Sequence, residues 1–251
     1  MGEVRRMGET AKEQTPISLT KQLSQFVGNK IKRLGGVTEE KQNLEPEEKE
    51  KLEKDREEKL KKGEKQIKAE LANLRRGAGK VPGELPELWG MLFQGFPIKL
   101  NAKSSEIEPS KAEWAAYLSL TLYALHQQGH DIIHENMQCN GVGLGTAVRK
   151  LVKDDEEVEN TSVFRRFQTF ATSSDIKELA HHLRGIVQLL SQEKIALDYV
   201  ALSEDLYRYQ FEESKDGIRL KWGRQYFSSV KNEDEEPKRS ENVVAEEDKN
   251  D

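Results

Sequence analysis

The sequence predicts an all-α fold. Three observations carry the prediction. Apolar residues recur three and four apart in segment after segment, helix-start signals stand in front of several of them, and no strand-rich stretch or internal repeat interrupts the pattern. The 251 residues then divide into a disordered N-terminus at 1–16, helical regions at 17–140 and 141–230, and a disordered acidic tail at 231–251. A charged insert, helical or disordered, interrupts the first helical region at 39–65.

The first helix falls at 17–34, where Leu19, Leu23, Phe26, Val27 and Ile31 form one apolar stripe and Gly35 and Gly36 end it. The insert holds eleven acids and nine bases but only three leucines, Leu44, Leu52 and Leu60. A coiled-coil seam needs two apolar positions per heptad, so a solvated helix stitched by Glu–Lys pairs, or a mobile segment, is expected instead. Ile67, Leu71 and Leu74 close a helix that runs into Arg75, Arg76 and Gly77, ahead of a loop rich in breakers at Gly79, Pro82, Gly83 and Pro86.

A short buried helix is expected at 88–96. Ser110 with Glu113 three residues later has the form of a capping box. The following stretch, 114–125, is apolar on nearly every face except at Ser119 and Thr121, as suits a helix enclosed in a bundle. Four further helices are marked by Leu144, Ala147, Val148 and Leu151; by Val163, Phe164, Phe167 and Phe170; by the stripe from Ile176 to Leu190, opened by Asp175 and Glu178; and by Tyr199, Leu202, Leu206 and Tyr209. Ile218, Leu220 and Trp222 alternate, and 218–227 is read as helix.

Composition excludes several function classes. Charged residues make up 34% of the chain against 35% hydrophobic, too polar for uniform globular packing. A single cysteine, Cys139, rules out an internal disulfide framework and any multi-cysteine zinc site, so the cytoplasm is the expected compartment. No stretch approaches the ~18 consecutive apolar residues of a membrane span, and Met1 to Thr15 lacks the apolar core of a secretory signal. The net charge of −5 is misleading as a whole: 231–251 contains nine acids and four bases, so the rest sums to zero and can still carry a basic face.

Few residues invite a chemical role. Asn140-Gly-Val-Gly-Leu-Gly145 has neither the spacing nor the preceding strand of a dinucleotide fingerprint, and reads as a flexible entry to the next helix. His126, His130 and His134 are four apart, as zinc ligands on a helix can be, but Gly129 between them reads as a helix end. No metal site or cofactor is expected. No nucleophile stands out, so no catalytic residue is assigned. Trp89, Tyr207 and Trp222 are expected in the core.

The arginines are different. Nine lie between Gln66 and Val230, several at helix ends or opposite an apolar stripe. Guanidinium groups fork onto phosphates, so this placement suits a groove that tracks a nucleic-acid backbone.

The wording of the segments adds a resemblance. Leu71-Ala-Asn-Leu-Arg-Arg-Gly77, Pro86-Glu-Leu-Trp89, Ala115-Ala-Tyr-Leu118, Gly143-Leu-Gly-Thr-Ala-Val-Arg149, Val163-Phe-Arg-Arg-Phe167, His182-Leu-Arg-Gly185, Leu197-Asp-Tyr199 and Leu220-Lys-Trp222 follow in order. This succession resembles the CasB family, the small subunit of the type I-E CRISPR surveillance complex Cascade. It spans 67–230, with a looser match at 17–34, and the charged insert and acidic tail depart from the usual compact form.

The resemblance implies a non-catalytic all-α protein of two small helical bundles, an N-terminal bundle at 17–140 and a C-terminal bundle at 141–230, present in two copies beside the backbone subunits and the large subunit. Its partners would be the guide RNA–target DNA hybrid and the displaced single-stranded DNA, held in support of antiviral defence. Arg75, Arg76, Arg149, Arg165 and Arg166 are the expected phosphate contacts, followed by Arg184, Lys221 and Arg224. Two other readings stay open: a scaffold that contacts only protein, and a histidine-based metal enzyme.

Overall fold

The computed structural model describes residues 18–37, 45–103, 106–153 and 157–228. The disorder expected at 1–16 and 231–251 lies outside these residues, as does 39–44 of the insert. Among the described residues the regular structure is helical, with a lone bridge between Gln138 and Leu197. The fold is all-α, as the periodicity predicts.

Helix α1 (Leu19–Arg33) is capped by the Ser18 hydroxyl, which accepts from the Lys21 N–H at 3.3 Å, and it buries Leu23, Phe26, Val27 and Ile31. The charged insert is not a separate element. From Pro46 it forms the outer part of α2 (Pro46–Arg76), a single 31-residue helix whose inner end carries Leu71 and Leu74. At 1.5 Å per residue the rod is about 46 Å long. Its outer turns stand in solvent, where Glu50–Lys54, Glu57–Lys61 and Glu64–Lys68 pair one turn apart. Leu52 is exposed, and Leu60 is the first leucine of the helix to be buried. There Arg56 donates to the Gly35 carbonyl at 2.7 Å, fastening the rod to the end of α1.

The segment expected as a buried helix is a 3-10 turn (Pro86–Leu88) leading into the short α3 (Trp89–Phe93). Leu88, Leu92 and Phe96 are buried beneath it, whereas Trp89 and Phe93 face solvent.

Helix α4 (Lys111–His126) opens with the predicted capping box: Ser110 Oγ accepts from the Glu113 N–H at 3.0 Å, and Glu113 Oε2 accepts from the Ser110 N–H at 2.6 Å. Helices α1, α2, α7 (Ile176–Gln192) and α8 (Tyr199–Tyr209) pack around it. Thirteen of its sixteen residues are buried. Its two polar intruders bond to their own helix, Ser119 to the Ala115 carbonyl and Thr121 to the Tyr117 carbonyl, each at 2.8 Å. That is why an enclosed helix tolerates them.

In the second half of the chain α5 (Leu144–Arg149) and α8 pack on α9 (Glu212–Ser228), and α6 (Ser162–Ala171) packs on α7. Thr161, Asp175 and Asp198 cap α6, α7 and α8 with their side-chain oxygens. Helix α9 begins six residues before the predicted 218. Phe170, Tyr209 and Trp222 form an aromatic stack, with Trp222 at 4.8 Å from Phe170 and 5.4 Å from Tyr209 between ring centroids.

Candidate nucleic-acid interface

The arginine motif at the end of α2 is positioned by a close approach. A Cβ on Gly77 would stand 2.8 Å from Leu88 Cδ1 and 2.9 Å from both Thr121 Cγ2 and the Tyr117 hydroxyl. Tyr117 also donates to the Gly77 carbonyl at 2.8 Å. With no side chain at 77, α2 ends hard against α4, and Arg75 and Arg76 sit at a rigid corner. Two residues on, Gly79 turns the chain with φ +91, and a Cβ there would meet Arg184 Nη1 at 2.9 Å. The turn therefore lets the Arg184 guanidinium of α7 lie against the same corner. Arg75, Arg76 and Arg184 form one group.

A second group forms where α5, α6 and α9 meet. A Cβ on Gly145 would collide with the Trp222 carbonyl, so this glycine brings α5 against the α9 backbone, and its N–H donates to Gln225 Oε1 at 3.2 Å. The glycine-rich stretch is thus a packing device as well as a helix entry. Its other end is tied down by Asp198, whose Oδ2 accepts from the Gly141 N–H at 2.9 Å while Oδ1 caps α8. Arg149 closes α5 and donates to the Val152 carbonyl at 3.1 Å. Arg165 projects from α6 opposite buried Phe167 and Phe170 and donates to the Asn160 carbonyl at 3.0 Å, and Arg166 is exposed at the flank of that stripe. Arg224 is exposed on α9. The paired helices α6 and α7 carry residues of both groups.

These cations differ in their ion pairing. Arg75, Arg149, Arg165, Arg166, Arg184 and Arg224 have no carboxylate partner among the described residues. Arg76 pairs with Glu87 at 2.9 Å on the surface. Lys221 is engaged more deeply: its Nζ lies 2.6 Å from Asp205 Oδ1, and the other Asp205 oxygen accepts from Trp222 Nε1 at 2.9 Å. Burial raises the Asp205 carboxyl above its ordinary range, and Lys221 opposes that shift. Lys221 neutralises a core carboxylate and has little charge left for a phosphate. Arg208, in the last turn of α8, is exposed and has no carboxylate among the described residues. Sequence reasoning passed over it, although its position at a helix end was the same signal.

The histidines do not converge. His126 is fully buried with Nδ1 2.9 Å from the Tyr199 hydroxyl; burial, reinforced by the neighbouring His130, pushes its pKa down to about 4. His130 meets Ser191 at 3.1 Å, and His134 is exposed. Helix α4 stops at His126 and the chain turns at Gly129, so the four-residue spacing is not helical. Among the described residues no three His, Cys, Asp or Glu side chains gather as a metal would require. Cys139 is exposed in a loop. Trp222 is in the core as expected and Tyr207 is half-buried on Phe211, but Trp89 is 51% exposed, contrary to expectation. Its ring lies on the solvent side of α3 because Leu88 and Leu92 take the inward positions.

Helices that enclose one hydrophobic centre and carry several guanidiniums without a carboxylate partner among the described residues define a helical protein suited to presenting positive charge. The profile described as CRISPR-associated protein Cse2 matches residues 70–227, and the chain belongs to that family. It is therefore a subunit of the CRISPR Cascade complex. The crystal structure of CasB from Thermobifida fusca is similar at a TM-score of 0.59 and 29% identity, covering 82% of this chain and 97% of that one. CasB from Thermus thermophilus shares the fold at a TM-score of 0.52 and 22% identity, over 82% of this chain and 97% of that one. No curated protein matches the chain. Among the described residues no helix is long and apolar enough to cross a membrane.

Proposed function

We propose that this chain is the non-catalytic small subunit of a type I-E Cascade, two copies of which steady an opened DNA while the guide RNA pairs with one strand. The observation that carries the reading is that six of the eight expected contacts have no carboxylate partner among the described residues, whereas many surface lysines do. Exchange of a DNA duplex for an RNA–DNA hybrid is nearly balanced, so modest contacts can tip it. Phosphate contacts supply that bias without sequence preference, as a guide-programmed complex requires. Arg75, Arg149, Arg165, Arg166, Arg184 and Arg224 hold the displaced strand and the guide-paired strand; Arg76 joins them by exchanging Glu87 for phosphate, and Lys221 contributes least.

A protein-only scaffold is the second reading, and the exposed Trp89, Phe93 and Ile98 favour it as a contact surface for other subunits. Charge reversal of Arg165 and Arg166 in the assembled complex separates the two. The phosphate reading expects normal assembly with guide RNA and a large loss of DNA opening on a matched duplex. Unchanged opening, or failure to assemble, overturns it in favour of the scaffold.

A further inference from the structure

Two features of the N-terminal half have complementary chemistry. The first is the loop between α3 and α4. It is pinned at its base, where the Ser110 hydroxyl donates to the Leu100 carbonyl at 2.6 Å and the Ala102 N–H donates to Glu113 Oε1 at 3.3 Å. Beyond that base Ile107 is 100% exposed, and Glu106 and Glu108 flank it, exposed as well. Neither glutamate meets a cation among the described residues; Glu106 accepts from the Lys103 N–H at 3.3 Å. Pro109 restricts Glu108 to extended backbone, which stiffens the tip. An aliphatic side chain held wholly in water gains free energy wherever it can be buried.

The second feature is a cleft of about 450 Å³ between α1 and the turn after α3, with Phe26, Lys30 and Arg33 on one side and Gln94, Gly95 and Pro97 on the other. Its two cations are unequally served. Arg33 donates to Glu70 Oε2 at 2.7 Å, and the other Glu70 oxygen accepts from Gln66 Nε2 at 3.1 Å. Lys30 has no carboxylate among the described residues and lies 5.3 Å from the Phe26 ring centre. Burial and the nearby Arg33 lower the Lys30 pKa, and Glu70 offsets them only in part. The ammonium is therefore short of an anion. Ile98, next in the chain after Pro97, is 86% exposed and adds apolar surface beside the cleft.

We infer that the Glu106-Ile107-Glu108 tip of one copy of this chain docks in the Lys30 cleft of another, with Ile107 over Phe26 and Pro97 and Glu108 on Lys30. The tip does not fill its own cleft, since Ile107 is fully exposed in the single chain. A single carboxylate suits a single free ammonium, whereas Glu70 at the Arg33 end repels a polyanion. Knob and recess are different parts of the chain, so the contact is heterologous and runs from one copy to the next. The contact itself stands on charge and exposure; its place in the complex rests on the two-copy reading above, and it owes nothing to the phosphate contacts.

Sedimentation velocity of the full-length protein between about 5 and 500 μM tests this. The parent shows a mass that rises with concentration, and about 500 mM salt weakens the association. I107S, K30E and E108K each associate about tenfold more weakly. K30E/E108K exchanges the two charges and recovers most of that loss, as groups in contact do and two separate defects do not. A parent that stays monomeric overturns the inference. So does I107S associating like the parent, or a double variant no tighter than the single ones. Native mass spectrometry of the assembled complex counts the copies independently. Two copies without charge-swap rescue in solution overturns this contact and leaves the two-copy reading standing. One copy with rescue in solution keeps the contact and defeats that reading instead.

Discussion

Replacing Arg165 and Arg166 by alanine should flatten the salt dependence of single-stranded DNA binding by a calculable amount. Six of the proposed contacts, Arg75, Arg149, Arg165, Arg166, Arg184 and Arg224, lack carboxylate partners among the described residues. Each phosphate contact to a single strand contributes about −0.7 to the slope of log affinity against log salt, so six give about −4. Between 50 and 200 mM salt that slope means a loss of roughly 300-fold in affinity. Removing two contacts brings the slope to about −3 and the loss to roughly 50-fold. The measurement is fluorescence anisotropy of a labelled oligothymidylate titrated at several salt concentrations. Lys221→Ala is the control: its charge already serves Asp205, so the slope should not move. That variant should instead lose about 2 kcal/mol of stability, less than for a fully enclosed pair because Lys221 is 43% exposed. An unchanged slope in R165A/R166A, or a Lys221→Ala slope that falls as much, refutes the distinction between free and engaged cations.

Acid should weaken the fold through His126. Its folded pKa is about 4, below the ordinary 6.5, so the proton prefers the unfolded chain; stability is full above pH 6.5 and lost as the pH falls towards 4. Urea unfolding should show about 2 kcal/mol less stability at pH 5 than at pH 7 from this group, and His126→Gln should remove that dependence. Gly145→Ala drives a methyl into the Trp222 carbonyl and should lower stability by about 1–3 kcal/mol, whereas Gly185→Ala in α7, with open space around it, should gain a few tenths to about 1 kcal/mol. Thermal melts distinguish the two glycines directly. On the outer rod, Leu60→Ala should lose about 2–3 kcal/mol while Leu52→Ala stays within about 0.5 kcal/mol, by denaturant titration.

Most of the fold was legible because its signals are local. The Ser110–Glu113 box and the Asp175 cap need only a few residues to act, and the enclosure of α4 follows from its lack of a polar face. What was not legible depends on partners far away in the chain. The insert and the following helix are one rod because Arg56 and Leu60 find the end of α1, a contact that no Glu–Lys periodicity announces. Helix α9 starts early at Glu212 because its opening residues are polar and give no apolar stripe. The candidate site divides the same way. That arginines would lie on outer faces could be read from the stripes opposite them, but the pairing of Lys221 with Asp205 crosses two helices. Trp89 was misplaced because a large ring beside buried leucines has no local feature that tells which side it takes.

The enclosure of α4 has a consequence for how the molecule comes apart. Every neighbour that could loosen on its own, α1, α2, α7 or α8, would lay part of α4 open to water. The middle amides of α4 should therefore exchange their hydrogens for deuterium only when the whole domain opens, and their exchange rates should report its global stability. The outermost turns of α2, which stand in solvent, should exchange within the shortest labelling times. A subunit made this way can lend or withdraw its periphery during assembly without disturbing its centre.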